Sequence, residues 1–469
     1  MMAQPAESIL LISCYELGHQ PMGLALPLGM LKREGISAET MDVSVEGFDA
    51  KKAARARFVG ISVPMHTALR LGVKVAEEIR KINTRCHICF YGLYASLNSD
   101  YLLAGIADSV IGGEYEEALV SLIKHSIERI ESNSENSVEG VAAIGSAGAP
   151  ILKRLKFDTP QRRSLVPLEK YAGLEIGGER RLAGYTEASR GCLHLCTHCP
   201  IPPVYKGRFF VVPAEIVMED IRSLAALGAR HITFGDPDFL NGPGHSLKVA
   251  RMLHDEFPEL TFDFTAKVEH LLKHGSLLGE FAELGCLFLV SAFESTSDSV
   301  LTHLEKGHTY DDMKEAVGLV REAGISLRPT WVAFTPWTTN DDYIEMLEFI
   351  ASEGLIGNVD PVQYAIRLLA PPGSLLLASP ESKQWLGPLS ESDFSYQWQH
   401  PDPAMDELHG RVTSLVARDA ARGDEPAATF TRVRELAYGA GSRLNFFPRH
   451  LALATVNLRP PKLTEAWFC

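Results

Sequence analysis

Residues 189–200 read SRGCLHLCTHCP: Cys192, Cys196 and Cys199 stand at C-x3-C-x2-C spacing, with His194 and His198 between them. Thiolates are soft ligands that select zinc, copper(I) or iron–sulfur clusters. A zinc site here would use the three cysteines with His194 or His198. Such sites usually come in two paired halves, and no second C-x2-C stands nearby in sequence. Cys86 and Cys89 have that spacing but fall inside an expected buried strand. A [4Fe–4S] cluster usually takes four protein thiolates. With three, one iron stays open for a ligand from outside the protein, a substrate or a cofactor.

The elements that must position this loop follow from the apolar pattern. Over residues 8–126, short β-rich runs (SILLISCY, ISAETMDV, RFVGISVPM, CHICFYG, DSVIGG) alternate with amphipathic stretches such as TALRLGVKVAEEIRKIN. That alternation predicts parallel strands with right-handed crossovers, an α/β doubly wound domain whose ligand sits at the strand C-termini. Residues 127–180, rich in Ser, Gly, Asn and Glu at first, read as a linker or hairpin. Over 181–380 the alternation resumes, with strands expected at GYTEASR, RHITFGD, LTFDFTAK, CLFLVSAFE, ISLRPTWVAF and VDPVQYAIRLL. Six βα units predict a partial barrel, in which active residues lie at the C-terminal strand ends. The cysteines directly follow the first of these strands. Residues 381–469 are a helix-leaning C-terminal region, with a good helix over DPAMDELHGRVTSLVARDAA.

Composition bounds the function. At 469 residues the chain holds two or three domains. A net charge of −14 argues against a surface built for nucleic acid, so a small molecule or peptide is the expected substrate. No apolar run reaches the ~18 residues of a membrane span. The start, MMAQPAESILLIS, lacks a basic n-region, and eight cysteines do not make a disulfide scaffold; a reduced, cytoplasmic protein is expected.

The cysteine spacing after the first strand of a six-unit barrel resembles that of radical S-adenosylmethionine (SAM) enzymes. The resemblance implies a [4Fe–4S] cluster on Cys192, Cys196 and Cys199, with SAM chelating the open iron. Reductive cleavage of SAM then yields a deoxyadenosyl radical that abstracts a substrate hydrogen, and an electron donor such as flavodoxin or ferredoxin is required. In that family an aromatic residue precedes the third cysteine, near the adenine; here it is His198. In FGDPDFLN, Asp236 matches the turn that holds the SAM amino group, with Asp238 as the alternative and helix or turn capping as the plain structural role. In SAFESTSDSVL, Ser291 and Glu294 match the ribose-side stretch, with Thr296 in place of a glycine. Arg328 is a candidate for the SAM carboxylate, and Lys267 and Arg367 are weaker inward candidates. Trp331 and Trp337 are expected to pack the barrel.

A doubly wound domain before such a barrel resembles the cobalamin-binding (B12) domain of one large subgroup, on VGISV and VIGGEYEEAL. That resemblance implies cobalamin, with Gly112 and Gly113 letting the backbone approach it. The loop YELGHQPMG departs from the D-x-H-x-x-G of histidine-ligated forms: Glu16 precedes His19 by three and Gly23 follows by four. A mode without a histidine ligand is therefore expected. Methylthiotransferases share the two domains but carry three further cysteines for a second cluster; Cys14 fits one place, while Cys86 and Cys89 look like core residues and no nucleic-acid-binding β module follows. The stretch YAIRLLAPPGSLLL and the ending TEAWFC resemble a B12-domain radical SAM group that ends in Cys-Cys-Ala-Glu-Pro or its selenocysteine form. The expectation is that a selenocysteine codon was read as a stop or the chain was cut there, and that Cys469 folds back to the barrel mouth as ligand or hydrogen donor; an ordinary stop with no Ala-Glu-Pro frame beyond it would refute the first.

The activity expected is radical group transfer, foremost methylation from methylcobalamin. The alternatives are cobalamin-free rearrangement or 3-amino-3-carboxypropyl transfer, and a zinc-stabilised binding protein.

Overall fold

Strands buried on both faces read as continuous apolar runs, and SILLIS is one. The structure, a computed structural model, describes residues 8–128, 138–143, 148–440 and 459–465. Its first sheet contains β1 (Ser8–Ser13), β2 (Glu39–Asp42), β3 (Ala56–Ser62), β4 (His87–Tyr91) and β5 (Ser109–Ile111), parallel and in the order β2-β1-β3-β4-β5. Leu10, Ile12, Val59 and Ile61 enter one apolar layer and Ile9, Leu11, Phe58 and Tyr91 the other, as a doubly wound sheet requires. The order reverses between β1 and β3, where ligand crevices of such sheets open. The segment expected to be a linker also supplies β6 (Val141–Ala143), antiparallel at the edge beyond β5.

The second sheet is a curled half-barrel. β7 (Gly173–Ile176) and β8 (Glu179–Thr186) form a hairpin, and β9 (Ser189–Gly191) pairs antiparallel with β10 (Phe209–Val211). β11 (His231–Phe234), β12 (Thr261–Thr265), β13 (Cys286–Glu294) and β14 (Ser326–Trp331) continue from β8 in parallel. Ile232, Phe234, Phe262, Phe264 and Leu289 pack under the outer helices, two of which open on capping boxes, Thr309/Asp312 and Thr339/Asp342. The alternate residues Thr233, Asp263, Val290 and Arg328 face inward and line a cavity. The sixth expected strand is reduced to a 3-10 turn, Pro361–Ala365, and one parallel bridge, Phe334–Arg367. Pro361 has no N–H for a ladder, so the apolar run YAIRLL cannot extend back into a full strand.

The C-terminal region is less helical than expected. A hairpin of β15 (Leu386–Ser390) and β16 (Ser395–Trp398) precedes the helices Pro403–Arg422 and Pro426–Gly439. Asp402 caps the first of these through Ala404 N at 3.0 Å. β17 (Lys462–Leu463) then returns to pair antiparallel with β7, so the sheet order is β14-β13-β12-β11-β8-β7-β17.

Two buried arginines join the halves. Arg162 forms a fork on Asp220, Nε–Oδ1 and Nη2–Oδ2 both 2.8 Å, and also donates to the carbonyls of Tyr185 (2.7 Å) and Gln20 (3.3 Å). Arg190 contacts Glu116 at 2.6 Å, Glu187 at 2.9 Å and Glu114 at 3.3 Å.

Candidate active site

The cysteine loop begins where β9 ends. Gly191 has φ +72°, and a Cβ there would lie 2.4 Å from the Arg208 carbonyl, so only glycine makes this turn. The loop is fastened at three places. Asn241 Oδ1 accepts from Leu193 N at 3.4 Å; Thr197 N and Oγ1 donate to the carbonyls of Leu304 (3.1 Å) and His303 (2.9 Å); Ser374 Oγ donates to Thr197 O at 3.1 Å. Cys196 is buried and Cys192 and Cys199 are half-buried, all three as free thiols. Burial pushes the Cys199 thiol up to about 12 and raises Cys192 too, so a metal must displace protons to be held there.

Beneath the loop lies a charged core. Glu294, the last residue of β13, takes a left-handed φ of +65° and receives Lys306 Nζ at 3.1 Å and His198 Nε2 at 3.2 Å. Burial alone would raise the Glu294 carboxyl, but Lys306 and His198 hold it down to about 2. Burial works against the Lys306 charge as well, and Glu294 with the Cys196 and Cys199 sulfurs keeps its pKa above the ordinary value. Lys306 is thus a fixed cation beside the Cys196 and Cys199 sulfurs. His198 is held at its edge by Glu294.

Asp236 is committed inside the protein: its carboxylate accepts from Ala188 N at 2.9 Å and Ser189 Oγ at 2.5 Å. Burial pushes its carboxyl up to about 7. It shapes the turn from β8 into the cysteine loop, and Asp238 caps the next turn through Leu240 N. Ser291 Oγ is buried without a partner. Arg328 Nη2 pairs with Asp360 Oδ2 at 2.8 Å while its buried Nη1 has no partner. Lys267 lies by His194 Nδ1 (3.1 Å) and Glu269 (3.2 Å). Arg367 departs from expectation: it sits over the Trp398 ring at 3.6 Å and pairs with Asp406 at 2.7 Å, drawn outward by the C-terminal hairpin and helix. Trp331 packs edge-on against Phe293 as expected, whereas Trp337 stacks on His303 and meets Trp385. Cys469 lies outside the described residues.

In the first half, the protein's own atoms crowd Gly112 and Gly113. A Cβ on Gly112 would lie 2.3 Å from Ser96 Cβ, and Gly113, at φ +73°, bridges to Ile151. The following Glu114 and Glu116 bind Arg190, two residues before Cys192. Sequence reasoning missed Lys306, Asn241, Thr197 and this arginine; the Gly-Gly-Glu-x-Glu stretch was the available signal for the last. Cys14 and Cys86 lie in one apolar cluster and Cys89 in another, their thiols pushed by burial to about 12.

The loop after β1 turns toward the barrel. His19 stacks on Tyr185 at 4.7 Å, and with Leu17 it lines a cavity of about 160 Å³ completed by Tyr185, Asp263, Arg328 and Glu465. Glu16 closes the loop by accepting from Met22 N at 2.8 Å and Gly23 N at 3.4 Å. Burial pushes its carboxyl up to about 8. Its stabilising effect is full below the ordinary carboxylate pKa and is lost as pH rises through about 8. Glu16→Gln keeps the shorter acceptor bond, from Met22 N, gives up the longer one from Gly23 N, and removes that slope. Denaturant melts should therefore show the variant gaining on the parent by about 2 kcal/mol or more between pH 4.5 and pH 8.5.

Residues 186–350 match the Radical SAM superfamily. The chain carries a radical SAM domain. It is 27% identical over 217 residues to the tRNA-2-methylthio-N(6)-dimethylallyladenosine synthase of Chlorobium limicola, covering 44% of this chain and 47% of that one. The chain spans about half the length of the curated relatives it matches. Among solved structures, it resembles the cobalamin-dependent S-adenosylmethionine radical enzyme OxsB with TM-score 0.68 and 16% identity, over 88% of this chain and 67% of that one. It also resembles the radical S-adenosylmethionine methyltransferase TsrM of Kitasatospora setae, with TM-score 0.57 and 17% identity, over 74% and 70% of the two chains. These two likenesses establish the fold: a doubly wound domain and a radical SAM half-barrel. A radical SAM domain works with a [4Fe–4S] cluster and SAM, and the free Cys192, Cys196 and Cys199, with Lys306 beside them, are a donor set that fits the cluster. It needs a reductant and a substrate. Among the described residues no helix is long and apolar enough to cross a membrane.

Proposed function

We propose that this protein is a cobalamin-dependent radical SAM enzyme that transfers a methyl or related group to a small molecule or peptide, with a flavodoxin- or ferredoxin-like donor as reductant. The observation that carries the reading is the cavity shared by both halves: Leu17 and His19 of the first sheet's switch-point loop face Tyr185 and Arg328 of the barrel. When loaded, the cysteine site supplies reductive cleavage of the SAM carbon–sulfur bond. The chain's own residues arrange that event. Lys306 and Glu294 set the charge beneath the cysteines, His198 offers a ring face to the adenine, and Ser291 Oγ and Arg328 Nη1 offer open donors to polar groups of SAM or substrate. Gly112 and Gly113, where no Cβ fits, would leave the backbone there open to the cofactor's approach.

The OxsB and TsrM structures hold cobalamin, which supports the same cofactor here. Methylthio transfer, the activity in the name of the Chlorobium relative, is disfavoured because Cys14, Cys86 and Cys89 are buried on opposite sides of the first sheet. The test is anaerobic reconstitution with iron, sulfide and cobalamin, followed by SAM and a reductant. Retained corrinoid absorbance with formation of 5′-deoxyadenosine and S-adenosylhomocysteine is expected. SAM cleavage with no retained corrinoid would shift the reading to cobalamin-free rearrangement or 3-amino-3-carboxypropyl transfer.

The buried cation gives a separate expectation. Lys306→Gln removes a positive charge beside Cys196 and Cys199, so the midpoint potential should move negative by on the order of tens of millivolts in spectroelectrochemical titration.

A further inference from the structure

The geometry points to a second, mononuclear metal site beside the cysteine loop, formed by His194, Asp238 and His270 and suited to a divalent first-row ion such as zinc. The three residues come from three separate elements: the cysteine loop, the turn after β11 and the helix after β12. His194 Nε2, Asp238 Oδ2 and His270 Nδ1 lie within 4.8 Å of one another, and Asp238 and His270 are buried. All three atoms are buried and none is in a hydrogen bond. His270 Nδ1 and Asp238 Oδ2 are only 2.7 Å apart, yet the contact fails as a hydrogen bond on angle. Buried polar atoms are normally satisfied, so three converging orphans ask for a shared partner. Two imidazole nitrogens and one carboxylate oxygen are the donor set of open zinc sites, which leave a fourth position for water or substrate. Closing the three atoms onto an ion at about 2.1 Å needs shifts of about 1 Å or less.

The surroundings supply the rest of such a site. A neutral imidazole bound through Nε2 carries its proton on Nδ1 and must donate it. Glu269 Oε2 stands 3.6 Å from His194 Nδ1, ready to become the carboxylate that orients a metal-bound histidine. In the structure Lys267 Nζ holds that nitrogen at 3.1 Å. Metal binding therefore turns Nδ1 from acceptor to donor and releases Lys267 to Glu269, which it already contacts at 3.2 Å. Asp238 keeps its other oxygen, Oδ1, on Leu240 N at 3.0 Å, so one carboxylate both caps a turn and offers a ligand. The ion would tie the cysteine loop to β11 and β12.

The site is tested on the full chain, reconstituted anaerobically with its cluster, dialysed against zinc chloride and washed free of loose metal. About one zinc per chain should be retained, with X-ray absorption showing nitrogen and oxygen neighbours near ~2.0–2.1 Å and no sulfur near ~2.3 Å. Asp238→Asn, which preserves the cap, and His270→Gln should each weaken zinc binding by roughly 100-fold or more while the cluster's iron content stays at the parental level. Failure to retain zinc, a sulfur shell around it, or unchanged affinity in both variants would overturn the assignment. The absorption spectrum of the parent protein decides the matter even if a variant misfolds. Neither readout requires SAM turnover, so the outcome is independent of the proposed activity.

Discussion

Replacing Cys192, Cys196 and Cys199 together by alanine is expected to leave the protein folded and without its cluster. The three side chains sit on a loop whose main chain is held by Asn241, Thr197 and Ser374 rather than by the sulfurs. Thermal melting should therefore shift little, while acid-labile sulfide and the broad absorbance near ~400 nm of the reconstituted protein fall to background. Reductive SAM cleavage should fall below detection, because the three sulfurs that would hold the cluster are gone. Single alanine variants should behave almost as severely, since a cluster held by two thiolates loses its fixed orientation. Parental acid-labile sulfide together with continued SAM cleavage in the triple variant would remove the basis of the functional reading.

The second large effect concerns stability. Arg162→Met should destabilise the protein by roughly 3–5 kcal/mol, the cost of leaving one member of a buried ion pair alone. Asp220 is 1% exposed and would keep only Thr186 Oγ1 as a side-chain partner. The change also removes the donor to the Tyr185 and Gln20 carbonyls, at the seam between the halves. The double variant Arg162→Met/Asp220→Leu should recover much of the loss, because no charge is then stranded. Chemical denaturation of the parent, single and double variants measures both quantities. A single variant within about 1 kcal/mol of the parent would contradict this account of the seam.

What was legible in the sequence follows from how local each signal is. The cluster ligands fall within eight residues, so spacing alone exposed them. The strands of the first sheet are buried on both faces, and runs such as SILLIS and HICFY declare that directly. The half-barrel was legible for a related reason: its outward residues are large and apolar, while Thr233, Asp263 and Arg328 alternate with them. The partners of the site residues were not legible. Lys306 meets Glu294 only because the segment after β13 folds back, and Arg190 meets Glu114 across 76 positions. Arg367 looked inward because it follows an apolar run, and the fragmentary sixth strand with the Trp398 ring placed it elsewhere. Gly112 and Gly113 fit a cofactor motif, and their closeness to Ser96 and Ile151 was not legible. Asp236 fit a ligand-binding turn and does line the cavity; that its oxygens also shape the chain leading to the cysteines was not legible.

The paired arginines at the seam also bear on how a reactant gets in. A hinge that swung the halves apart would part Arg190 from Glu114 and Glu116 and Arg162 from the Gln20 carbonyl. Opening the seam therefore breaks two buried networks at once. A route in costs less at a thinner wall. Strand β17 is such a wall: it is two residues long, its neighbours Thr464 and Gly173 exchange two hydrogen bonds, and Leu463 and Glu465 already border the cavity.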